Sequence, residues 1–281
     1  MKRLALAAIL FAPAGLAANE VTLAEAAAAY YNAGEYYSAI TEAKRWEFLY
    51  PQGELYPSML LLKGKAMFYG GDTAGALNTM TTLAATFPHL PQGNEAAYLQ
   101  GRMRLTHGAP VFALTFYNKY ISFYGASLWT EEAERDICYG RAISLDFAGA
   151  KAGIAAYKAK YGGGKYVYAL DELAADIAAE ESRPTKSMAI AIAGSAVIPG
   201  FGYFYTGHYG LGVLAFLTNA ILIAAVVDGI IRGNIFQWAF FGLMEVAFYK
   251  YSIEGAIRSV DEYNSRTPFA EKLRLSFEGR F

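Results

Sequence analysis

Ala39, Ala76, Ala113 and Ala150 recur at intervals of 37 residues, and so do Tyr50, Phe87, Tyr124 and Tyr161. The same step carries a third series of small residues, Ala27, Gly64, Gly101 and Cys138, and a fourth of glycines, Gly34, Gly71 and Gly108. Four columns in register restrict the chain to an internal-repeat architecture, in which each unit buries its apolar face on the next. Within a unit the order is a small residue, Gly seven later, Ala five after that, and an aromatic eleven further on. That spacing predicts two helices around a glycine turn, packed through small residues where they cross. In the first two units Pro51 and Pro88 follow the aromatic, where a helix must stop.

This pattern resembles the tetratricopeptide repeat (TPR), a helix–turn–helix unit with small, Gly, Ala and Pro columns. The first unit supplies Ala27, Tyr30, Gly34, Tyr36, Ala39 and Pro51, and the second Gly64, Gly71, Ala76 and Pro88. The third keeps Gly101, Gly108 and Ala113, with Arg104 at an aromatic position and Gly125 at the Pro position. The fourth departs furthest, with Cys138, Arg141, Leu145 and Ala150. TPR units usually repeat at about 34 residues. Here the extra residues fall between units, in PQGELYPS, PHLPQGNE and GASLWTEE, as in TPR arrays of bacterial envelope proteins. The resemblance spans roughly residues 20–180. It implies units near 20–53, 57–90, 94–127 and 131–164, closed by a capping helix at 168–181.

The N-terminus has the form of a secretory signal peptide over residues 1–17. Lys2 and Arg3 precede the apolar run Leu4–Phe11, and Gly15-Leu16-Ala17 is a small-x-small cleavage site. Cleavage would leave a repeat domain over 18–181 and place it in the periplasm. Cys138 is the single cysteine, so no internal disulfide framework is available, and its place in the small-residue column predicts a buried hydrophobe.

From Ser187 to Val227 no Asp, Glu, Lys or Arg occurs in 41 residues, a composition unsuited to an exposed soluble surface. After a linker at 182–187, apolar segments at 188–205, 211–231 and 235–251 approach the ~20 residues a helix needs to cross ~30 Å of hydrocarbon. The expected fold is therefore all-α: a TPR-like helical solenoid, then a small bundle of two or three membrane helices over 188–253, then a charged tail at 254–281. Pro199-Gly200-x-Gly202-x-x-Tyr205-x-Gly207 resembles a short membrane-hairpin module of bacterial proteins, as does the closing stretch Gly255–Asn264. Met188–Tyr205 reads either as a full crossing or as a re-entrant hairpin broken at Pro199. Three crossings would put the tail in the cytoplasm, which its Lys and Arg residues favour.

The chemistry of enzymes is sparse. His89, His107 and His208 lack metal-ligand spacing, and no phosphate-binding loop or nucleophile motif occurs. The sequence points to a protein that is not an enzyme and needs no cofactor or metal. A net charge of −1 argues against nucleic acid as a partner. Asp228 and Glu245, within the apolar segments, form either an intramembrane polar site or ordinary paired and snorkelling carboxylates.

In a TPR array the first helix of each unit builds the concave face. Mapped here, that face carries Tyr31 and Asn32, then Leu61, Lys65, Phe68 and Tyr69, then Tyr98 and Arg102, then Glu132, Arg135 and Tyr139. Cations interleaved with aromatics suit an extended envelope peptide or protein, although the abundance of Tyr (22) and Phe (18) also supplies such residues as plain core. Two functions are thus expected: a membrane-tethered periplasmic TPR scaffold or, alternatively, a component of a membrane transport, insertion or lipid-handling system acting through the C-terminal helices. The partners are an envelope polypeptide and the lipid bilayer.

Overall fold

The computed structural model describes residues 19–279, so the signal peptide expected at 1–17 lies outside the described residues. Among these the chain is all-helical, and it divides into two compact units. The first runs to Ile177 and takes in the chain again from Ala270; the second spans Ala178–Phe269.

In the first unit helices come in pairs. α1 (Glu20–Asn32) packs on α2 (Tyr36–Leu49), α3 (Tyr56–Tyr69) on α4 (Thr73–Thr86), α5 (Pro91–Thr106) on α6 (Pro110–Tyr124), and α7 (Thr130–Ile143) on α8 (Phe147–Tyr161). Each pair also packs on the next, and the odd-numbered helices touch one another in series, so α1, α3, α5 and α7 form one layer. α9 (Val167–Glu181) follows, its Ala169 carbonyl accepting from the Tyr139 hydroxyl.

The columns account for this stacking. Ala39, Ala76, Ala113 and Ala150 are fully buried at the helix crossings, where added volume would cost about 1–3 kcal/mol. Gly34, Gly71 and Gly108 make the turn inside each pair with φ of +77°, +90° and +80°, backbone open mainly to glycine. Position 51 and its equivalents end the second helix in two ways. Pro51 and Pro88 follow non-helical caps at Tyr50 (φ −130°, ψ 58°) and Phe87 (φ −126°, ψ 49°), whereas Gly125 and Gly162 turn left-handed at φ +59° and +56°. Asp72 and Asp146 cap α4 and α8 by accepting from the Gly75 and Gly149 amides.

In the second unit the segment expected at 188–205 is not one helix. α10 (Met188–Val197) stops before Pro199, Gly200 turns left-handed at φ +89°, and α11 (Phe201–Thr206) is a separate short helix. α12 (Tyr209–Ile231) has 23 residues and is the one described helix long and apolar enough to cross a membrane. The third apolar segment does not end at Tyr251. It continues into the expected tail as the 30-residue α13 (Ile235–Asn264), paired with α12 across Arg232-Gly233-Asn234. α14 (Thr267–Gly279) closes the description, and its residues from Ala270 belong to the first unit.

Candidate functional site

Six of the residues expected on the inner face converge. Tyr31, Lys65, Phe68, Tyr69, Tyr98 and Arg102, from α1, α3 and α5, line a cavity of about 240 Å³ with Glu95, Leu99, Met103 and Trp129. Tyr31, Tyr36 and Tyr69 form an aromatic cluster, with Tyr36 stacked on Tyr69 at 5.5 Å. Burial, then Tyr69 and Tyr36, push the Tyr31 hydroxyl up to about 12, so it stays a neutral donor at physiological pH. Lys65 pairs with Glu95 across α3 and α5. Leu61 packs on the apolar core beneath, and Asn32 is exposed at the end of α1.

Tyr98, at the cavity's edge, and two further expected groove residues, Arg135 and Tyr139, are buried. Tyr98, Arg135 and Tyr139 are 0%, 1% and 1% exposed, so they offer a partner almost no surface. Tyr139 donates to the Ala169 carbonyl and lies against Phe277. For Tyr98 and Arg135 the cause is instead Asp136, which is fully buried and must be satisfied. Tyr98 and Tyr117 each donate to its Oδ2 at 2.9 Å, and Arg135 Nε donates to its Oδ1 at 2.6 Å. Burial pushes the Asp136 carboxyl up, against the lowering pull of Arg135 and Arg102. Burial likewise opposes charge on Arg135, but Asp136 outweighs it and the guanidinium is held above its usual range. This network ties α5, α6 and α7 together. Arg102 belongs partly to it, since Tyr98 and Asp136 raise its guanidinium against burial.

Four lining residues lay outside the expected set: Glu95, Leu99, Met103 and Trp129. Glu95 stands one repeat before Glu132, so the same column could have found it. Trp129 lies in the junction before α7, where a mapping of helix positions does not look. Its ring stacks on Tyr98 at 5.2 Å and 7°, and its indole N–H has no hydrogen-bond partner among the described residues.

In the second unit the glycine motif is a packing device. Gly202 lies against Ala256, and Gly255 against the Tyr203 hydroxyl, so the two halves of the motif meet. The Gly200 amide donates to Ser252 Oγ (2.7 Å) and the Gly202 amide to Ser195 Oγ (2.9 Å), satisfying N–H groups that lack helical acceptors where α11 begins. Tyr205 accepts from the Ser187 amide at 3.1 Å, Lys186 lies 4.7 Å over its ring, and Gly207 ends α11 at φ +90°. Asp228 is paired, accepting from Arg232 Nε (2.7 Å) and Gln237 Nε2 (3.0 Å). Glu245 differs: its Oε2 is buried and has no partner among the described residues. Among those residues no His, Cys, Asp or Glu cluster could hold a metal ion. Cys138 is buried in the α7 core, and burial pushes its thiol up to about 12.

No protein-family model matches the chain, and no curated protein matches it.

Proposed function

We propose that the protein is a membrane-tethered TPR scaffold, which binds an envelope polypeptide through the inner face of its repeats on the periplasmic side of the bacterial inner membrane. The observation that carries this reading is the cavity between α1, α3 and α5, where Lys65 and Arg102 sit among Tyr31, Phe68, Tyr69 and Trp129. Aromatic walls with cations match the side chains and carboxylates of an extended peptide. An open groove on stacked hairpins suits binding rather than turnover.

Membrane attachment is supported by α12 and its partner. Leu214, Ile221 and Ile231 on α12, with Phe236, Leu243 and Val246 on α13, are at least 60% exposed. Such an apolar outer surface on a paired hairpin calls for lipid. Two crossings, by α12 and the first half of α13, fit best. The three-crossing arrangement with a cytoplasmic C-terminus loses its support on two counts. α10 and α11 are each too short to span, and the residues from Ala270 belong to the same compact unit as the repeats. Repeats and tail then share one side of the membrane.

A photo-crosslinking amino acid at Tyr69 tests the scaffold reading in living cells. It should trap a discrete envelope polypeptide, and Lys65→Glu should remove the product. Absence of any product at Tyr69, from protein properly inserted in the membrane, sinks the reading. A second reading, a transport or insertion component, is favoured only by the orphaned Glu245 oxygen. Glu245→Gln abolishing the phenotype with the repeats intact would support it.

A further inference from the structure

The inner face of the repeats already holds a helix. On α14, Leu273 and Phe277 stand four residues apart, hence on one face, and are 2% and 0% exposed. Glu271, Lys272 and Leu275 on the opposite face are exposed. The Phe277 ring lies 5.3 Å from Tyr139 and 5.9 Å beneath the Arg102 guanidinium. Between the two apolar anchors, Arg274 Nη1 donates to the Thr106 carbonyl at 2.6 Å. Thr106 is the last residue of α5, where helix carbonyls lack intrahelical partners and a cation is favoured. All three receiving residues are inner-face positions. Arg102 and Tyr139 stand one and two repeat steps after Lys65, and Thr106 stands one step after Tyr69.

We propose that α14 is a tethered occupant of the binding groove, and that the external ligand is an amphipathic helix bearing the same Leu-Arg-x-x-Phe pattern, which must displace it. This rests on the scaffold reading and narrows it to one ligand class. The pattern is helix-in-groove recognition: two apolar anchors at i and i+4 enter the groove, and a cation reads the end of a groove helix. Two anchors are a modest hold compared with the full helix faces that join the repeats. The tether compensates, because a linked segment acts at an effective concentration in the millimolar range. A free ligand therefore binds the intact chain more weakly than an emptied groove, by the fraction of time the groove is open. The cavity at Lys65, Tyr69 and Trp129 adjoins this seat through Arg102, which touches both. A longer ligand would fill both.

The test uses the detergent-solubilised full chain and a fluorescent peptide copying residues 267–281. Leu273→Asp with Phe277→Asp should empty the groove and tighten peptide binding at least tenfold relative to wild type. Arg274→Ala, which removes the bond to Thr106 along with the pairing to Glu271 within α14, should tighten it several-fold. A peptide with aspartate at both anchor positions should not bind. Equal affinity for wild type and both variants overturns the proposal. So does absence of peptide binding to a variant whose repeats still melt cooperatively. If the double variant does not fold, the Arg274→Ala comparison alone decides. Tail-peptide binding without any trapped envelope polypeptide would sink the scaffold reading and leave this inference standing.

Discussion

Leu145 holds, one repeat step after Gly108, the left-handed turn that glycine holds in the three preceding units. Its φ is +63° against +80° for Gly108, and it is the one non-glycine residue with positive φ among those described. A side chain there costs roughly 1–2 kcal/mol. The amide pattern persists regardless: Asp146 N donates to the Arg141 carbonyl as Ala109 N does to that of Arg104. The fourth unit thus keeps the turn geometry without the residue that suits it.

Leu145→Gly should therefore stabilise the repeat domain. Relief of the strained turn exceeds the extra entropy that glycine loses on folding, for a net gain of about 0.5–1 kcal/mol. Leu145 is 39% exposed, so the apolar burial it gives up offsets part of the relief and keeps the net gain small. A rise in urea midpoint at unchanged slope is the expected result; a fall would show that the side chain's packing outweighs the backbone strain.

Gly101 and Gly64 share a column but should respond differently to alanine. A methyl on Gly101 would sit 2.6 Å from the Tyr117 ring, which is held rigidly by its bond to Asp136. On Gly64 it would meet the flexible end of Met80 at 2.7 Å. Gly101→Ala should cost about 1–3 kcal/mol, and Gly64→Ala under about 1 kcal/mol. Thermal unfolding of the two variants side by side checks the order, and equal losses would remove the argument.

Asp136→Asn should destabilise strongly, by about 3–5 kcal/mol, because it leaves the buried Arg135 guanidinium without its countercharge. Replacing Tyr117 by Phe removes one of the two tyrosine donors to the same carboxylate and should cost less, about 1–2 kcal/mol. Chemical denaturation measures both. A mild effect of Asp136→Asn would mean that Arg135 is satisfied by the Tyr166 ring beneath it, 4.2 Å away.

The Cys138 thiol is pushed from its usual 9.0 up to about 12 by burial. Its folded-state value is raised, so its contribution to stability is fully present below pH 9.0 and is lost as pH climbs toward about 12. Cys138→Ala should flatten the alkaline fall in stability across that window. At pH 8 the native thiol should label only as fast as the domain opens. Rapid labelling at pH 8 without unfolding would contradict its burial.

The repeat and its helices were legible because solenoid contacts are local: a column such as Ala39 to Ala150 records one crossing four times. Residues outside the columns were harder to read. Asp136 has Leu99 and Leu62 as its equivalents, so no periodicity announced the buried carboxylate that draws Tyr98 and Arg135 inward. The docking of Arg274 on Thr106 spans 168 positions and leaves no local pattern. At 188–205 apolar length suggested continuity, while Pro199 and Gly200, visible in the same stretch, set the break.

Under the proposed membrane attachment, these long-range contacts bear on the orientation of the C-terminus. Lys250, Arg258, Arg266, Lys272, Arg274 and Arg280 near the end favour the cytoplasm by the usual bias of basic residues. Several are already engaged. Arg274 bonds Thr106 and Glu271, and Arg266 and Lys250 pair with Glu180 and Glu254. If the chain spans a membrane as proposed, burial of Leu273 and Phe277 within the repeat-bearing unit puts tail and repeats on one side, whichever side that is. If the signal peptide exports the repeats, the tail goes with them, after an even number of crossings. A reporter active only outside the cytoplasm, fused after Phe281, should therefore be active, and a cytoplasm-only reporter at the same place silent. The reverse result would require three crossings. It would also show that α14 leaves the inner face of the repeats in the membrane, so one measurement bears on both the topology and the tethered occupant.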